Sequence, residues 1–171
     1  MKQIFITTTL AAILAAIIVA SAVNTSRSML ANAFSSSPSQ QCEDAAKTIS
    51  SKADAQQSNG VCAIDLSRDS PTLHLLGHQF NEFAPHEFHY GPVSSGSSLN
   101  TNVLAIFEFT LLQSEVNPVI KSLEDHDVTV GAIHNHQFFE NPRLIYLHAQ
   151  KEAQLSTLLQ DFKDALDKTS G

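Results

Sequence analysis

The stretch Val103–Leu112, VLAIFEFTLL, is the strongest fold signal in the chain. It is β-branched, aromatic and aliphatic, contains neither glycine nor proline, and reads as a strand. A strand this apolar must be covered on at least one face. The elements that would cover it follow directly. SEVNPVIKSLEDHD reads as a helix, with Asn117 as N-cap before Pro118 and Ser114 as the alternative cap. VTVGAIHNHQF and RLIYLHA read as two strands joined by the turn FENP. KEAQLSTLLQDFKDALDK closes the chain as an amphipathic helix, with Leu155, Leu158, Leu159, Phe162 and Leu166 along one stripe.

The first half signals more weakly. CEDAAKTISSKADA has helical spacing built from small apolar residues, and QSNG breaks it at Gly60. VCAIDLS is expected to be a short strand. TLHLLGHQF reads as a strand interrupted by Gly77, with His74 and His78 half-buried in it. NEFAPHEFHYGPVSSGSSLNTN reads as a long polar loop. After a leading helix the order is β-β-α-β-β-α. It predicts an α+β fold, a mainly antiparallel sheet with helices packed on one face.

The N-terminus reads as an export signal. A short positive start precedes the apolar run IFITTTLAAILAAIIVA, and small-x-small triplets follow. Residues 1–33 are the expected signal peptide, cleaved after Ala22 or Ala33. Residues 34–41 are a Ser-rich linker, and 42–171 form one domain. An uncleaved segment would be the only membrane contact. Export places Cys42 and Cys62, the only two cysteines, in an oxidising compartment, so they are expected to form a disulfide. Acidic residues outnumber basic ones 17 to 10 with no basic stripe, which argues against nucleic acid as a partner.

Eight histidines stand out. In a strand, alternate side chains share a face, so His134 and His136 point the same way. On the returning strand, His148 is expected roughly across from His134, and Tyr146 near His136. Glu140 lies in the turn between. Imidazole nitrogens with a carboxylate oxygen suit Zn, Cu or Ni, so His134, His136, His148 and Glu140 are the candidate metal ligands. Arg143 is a candidate anion contact. PHEFHYGP falls one residue short of H-E-x-x-H, and its prolines leave no room for a helix. His86 and His89 are therefore candidate ligand-binding residues on a loop. His126, in the last turn of its helix, is placed to serve as a cation there.

From about Val61 to Leu166, and most closely from Leu111 to His148, the chain resembles the LppY/LpqO family, exported bacterial proteins of unknown function. The resemblance lies in Glu115-Val116-Asn117-Pro118-Val119, in His134-Asn135-His136, and in Pro142-Arg143 followed by His148. It implies export and supplies no activity. The chain departs from the family in lacking tryptophan, a second copy of the unit, and histidines after the last strand. Two other histidine patterns fit less well. Cupins need a second histidine motif on a small barrel, and lysostaphin-like zinc peptidases need upstream ligands at a spacing GHQF and EDHD do not give.

The expected function is binding of a transition metal or small ligand in the cell envelope. The alternatives are a zinc-dependent hydrolase of envelope or peptide substrates, with Glu140 as general base, and a purely structural envelope protein. A small ligand or an envelope component is the expected partner.

Overall fold

The computed structural model describes residues 38–80, 85–93 and 102–170. The expected signal peptide and the first part of the linker lie outside them. The described elements are α1 (Gln40–Ile49), β1 (Asp54–Ser58), β2 (Val61–Leu66), β3 (Leu73–Leu75), β4 (His78–Phe80), β5 (His86–Pro92) and β6 (Asn102–Leu112). They continue with α2 (Val116–Asp125), β7 (Thr129–Asn135), β8 (Glu140–Asn141), β9 (Leu144–Gln154) and α3 (Leu155–Leu166). One sheet runs β1-β2-β5-β6-β9-β7 and the other β4-β3-β8. Every pairing is antiparallel. This is the expected α+β fold.

The period of two in β6 sets the layers. Ala105, Phe107, Phe109 and Leu111 are buried, while Leu104 and Ile106 on the opposite face are exposed. The buried set joins Ala46 and Ile49 of α1, Val119 and Leu123 of α2, and Leu158 and Ala165 of α3 in one core. Phe162 of α3 is its hub, with ring centroids 5.3 Å from Phe88, 5.6 Å from Phe107 and 4.9 Å from Phe109. Burying one such ring contributes about 2–3 kcal/mol. Among the described residues no helix joins a core on the other face of the large sheet, the open face.

Five local expectations are corrected. Residues 86–92 are not loop but β5, in the interior of the large sheet. His86, Phe88 and Tyr90 alternate inward, and histidine at an inward position disguised the period. Pro92 ends the strand, where proline is tolerated. The leading helix stops at Ile49, and the polar segment DAQQS is the edge strand β1. Lys151–Gln154 extends β9 rather than opening the last helix, because β9 pairs along the whole of β6. Helix α2 is capped by neither Asn117 nor Ser114. Glu115 is its N-cap and makes no side-chain capping bond. Helix α1 starts inside the expected linker, with the Ser39 hydroxyl accepting the Cys42 N–H.

Glu115 is engaged elsewhere. Its carboxylate takes a two-pronged grip from Arg68, with Nη1 to Oε2 at 2.7 Å and Nη2 to Oε1 at 2.6 Å. Leu112 N–H and Ser170 N–H each donate to it at 2.7 Å. Arg68 also donates to Thr110 O at 2.8 Å and Ser70 O at 2.6 Å. Burial opposes ionisation of Glu115, but the bonds from Arg68, Ser170 and Leu112 outweigh it and hold the carboxyl at about 2. The pair ties the start of α2, the end of β6 and residue 170 together.

Cys42 and Cys62 form the expected disulfide, Cα atoms 5.7 Å apart, joining α1 to β2. That bond fits an oxidising compartment. Among the described residues, no helix is long and apolar enough to cross a membrane.

Candidate functional site

Ionisable side chains form one transverse file on the open face. Register sets Asp54 opposite Asp65, Asp65 opposite Glu87, Glu87 opposite Glu108, and Glu108 opposite His148. Like charges directly opposed on a sheet are destabilising, so stability does not explain the file. The ion-pair partners of Glu87 and Glu108 are histidines. His89 Nε2 lies 3.3 Å from Glu87 Oε2, and His148 Nδ1 lies 3.2 Å from Glu108 Oε2. Burial pushes the Glu87 carboxyl above its ordinary value, Glu108 adds to the shift, and His89 opposes it. Asp65, Glu87 and His89 offer ligand atoms within 4.8 Å of one another, a group able to hold a metal ion.

The histidine hairpin completes the file, and a bulge puts it there. Val130 pairs with Ala149 but Ala132 pairs with His148, leaving Gly131 as the extra residue. Were Gly131 paired in regular register instead of bulged, His134 would fall opposite Ile145 and turn to the helix-covered face, since a one-residue slip inverts every following side chain. With it, His134 pairs with Tyr146 and reaches diagonally to His148. The two Nε2 atoms are 2.9 Å apart. His136 lies beside Tyr146 as expected, rings stacked at 4.6 Å.

Each hairpin imidazole has an acceptor at Nδ1. His134 Nδ1 is 3.0 Å from the Asn135 carbonyl oxygen, His136 Nδ1 is 3.0 Å from Glu140 Oε2, and His148 Nδ1 faces Glu108 at 3.2 Å. Carbonyl and carboxylate oxygens only accept, so each Nδ1 carries a proton, and the Nε2 atoms of His134 and His148 have room for one proton or one cation between them. Glu140 has a different place from the one the turn suggested. β8 pairs with β3, and the Glu140 side chain is only 1% exposed. Its Oε1 accepts from Leu144 N–H at 2.9 Å while Oε2 holds His136. Tyr146 packs against both His134 and His136. The fold thus joins His134 and His148, and sets His136 and Glu140 as a second pair beside them.

Arg143 is exposed just before β9. His86 is not on this face. It is buried in the core, its Nδ1 accepts from Thr110 N–H at 3.2 Å, and its Nε2 has no partner among the described residues. Burial, and then the Arg68 charge, lower its pKa to about 4, against the pull of Glu115. His126 lies just past the last turn of α2, as its C-cap residue, with Nδ1 donating to Ser122 O at 2.7 Å and Nε2 3.2 Å from Asp164. Beside His89 the open face dips into a depression of about 360 Å³ bordered by Val61, Leu104 and Ile106. Sequence reasoning missed Asp65, Glu87 and Glu108. Only the register of separate strands aligns them.

A family model described as Domain of Unknown Function (DUF1259) matches residues 44–168. No curated protein matches the chain, and no solved structure does.

Proposed function

The chain belongs to the DUF1259 family of unknown function, and from that premise we propose that it is an exported protein that binds a transition-metal ion on the open sheet face, with His134 and His148 as ligands. One observation carries this reading. Two Nε2 atoms face each other at 2.9 Å, and both Nδ1 atoms are already committed to acceptors. Two bare lone pairs so close require a proton or a cation between them. Zn, Cu and Ni suit imidazole donors. An acceptor behind the ligating ring is the usual means of fixing its tautomer and raising its basicity. His136, oriented by Glu140, is the third imidazole of the set.

The export half rests on the apolar N-terminal run and on the disulfide. Kinship with LppY/LpqO proteins is part of the reading, supported by Glu115-Val116-Asn117-Pro118-Val119, His134-Asn135-His136 and Pro142-Arg143 with His148. The depression beside His89 supports a small ligand next to the metal, with Arg143 as an anion contact. The hydrolase alternative gains less from the geometry. Both oxygens of Glu140, its proposed base, are engaged.

Metal analysis of the stripped and reloaded protein tests the reading. Zn, Cu or Ni is expected to be retained and to raise thermal stability, by about 2.7 kcal/mol at a hundredfold excess over Kd. His134→Ala is expected to abolish both effects. No retention by the native protein, with no change in His134→Ala, leaves an envelope protein of purely structural role.

A further inference from the structure

We propose that the open face holds two cations side by side, one at His134 and His148 and a second, harder ion at Asp65, Glu87 and His89. This deepens the reading above and rests on it for the first ion. Asp65, Glu87 and His89 come from β2 and β5, and their ligand atoms lie within 4.8 Å of one another. The group is more than a patch of acids, because His89 supplies an imidazole whose Nε2 already lies 3.3 Å from Glu87 Oε2. Two carboxylates and one imidazole favour an ion such as Mn²⁺, whereas the nearly all-imidazole position favours Zn²⁺ or Cu²⁺.

Glu108 links the two positions. It is the direct cross-strand neighbour of Glu87 on one side and of His148 on the other. Three carboxylates in adjacent strands therefore face one another, and the histidines paired with them, His89 and His148, are themselves ligands of the two positions. One ion at the hairpin leaves Asp65 opposite Glu87 with no cation between them. A second ion neutralises the repulsion that the register builds in. The second position also adjoins the depression bordered by Val61, Leu104 and Ile106, so a ligand lying there meets the harder ion first.

The experiment loads the full purified chain with one equivalent of Zn²⁺, then titrates Mn²⁺ while following the electron paramagnetic resonance signal of free Mn²⁺. The expected result is one Mn²⁺ bound per chain with Zn²⁺ retained. His89→Ala and, independently, Glu87→Gln should weaken Mn²⁺ binding at least about tenfold and leave Zn²⁺ in place. His134→Ala should release Zn²⁺ and leave Mn²⁺ bound. Circular dichroism of each variant checks that it is folded. Zn²⁺ held with no Mn²⁺ uptake, Mn²⁺ displacing Zn²⁺ one for one, or Mn²⁺ uptake indifferent to both His89 and Glu87 overturns the second position alone. Failure to hold either ion overturns the hairpin reading as well.

Discussion

Replacing the buried Glu115 with glutamine should be among the most damaging single changes in the sequence motif that contains it. Arg68 and Glu115 are both buried, and each is the other's counter-charge at 2.6 Å. Holding the Glu115 carboxyl at about 2 rather than 4.5 contributes about 3 kcal/mol of folding stability at neutral pH, at about 1.4 kcal/mol per tenfold change in proton affinity. Glutamine keeps the shape but removes the charge, leaving the Arg68 guanidinium buried and unpaired, for which about 3–5 kcal/mol is typical. The two routes agree. Against a total of about 5–15 kcal/mol for a domain of this kind, Glu115→Gln should lower the urea midpoint by more than about 1 M. Far-ultraviolet circular dichroism at pH 7 measures it. The double variant Arg68→Met/Glu115→Leu should recover most of the loss, because it removes the unpaired charge. A single-variant loss below about 1 kcal/mol, or a double variant no better than the single, would refute the argument that this buried pair is mutually required.

Three further outcomes follow from the same geometry. His86 stays neutral in the fold down to about 4 against an ordinary 6.5, so the unfolded chain takes up the proton first. Stability should fall by about 3 kcal/mol as pH drops through that window, and pH-dependent urea melts of His86→Gln should lack the slope. Glu108→Gln keeps a partner for His148 Nδ1 but removes the carboxylate's pull. Zn²⁺ affinity should weaken about 10–100-fold by isothermal titration with the fold intact. Reduction of Cys42–Cys62, which closes a loop of sequence separation 20, should cost about 3 kcal/mol in the chain-entropy account, read as a lower thermal midpoint under reductant.

The second half of the fold was legible because its signals are local. The apolar run of β6, the alternation around His134 and the stripe of α3 each state their element within a few residues. β5 was hidden because its inward positions begin with a histidine and its ends are prolines, so the composition spoke for loop while the period spoke for strand. β1 was hidden for the opposite reason: DAQQS is an edge strand with little to bury. At the site, the nearness of His136 to Tyr146 could be read from strand period and turn position. The contact of His134 with His148 could be read only approximately, because the bulge at Gly131 decides the face and a lone glycine in a strand pattern does not announce which register it imposes. The acidic file was not legible at all. Asp65, Glu87 and Glu108 sit in three separate segments and become neighbours only through pairings that no single segment encodes. Glu115 was noticed as part of a motif, but its partner Arg68 lies in a stretch that reads as a plain turn.

The stacking of Tyr146 on His136 and His134 has an optical consequence. The chain has no tryptophan and two tyrosines, so its ultraviolet emission comes from Tyr90 and Tyr146 alone. One emitter belongs to the buried interior and the other touches the imidazoles. A paramagnetic ion such as Cu²⁺ arriving at those rings would dim Tyr146 and spare Tyr90. The molecule thus carries an intrinsic reporter beside its candidate binding residues, readable without any label.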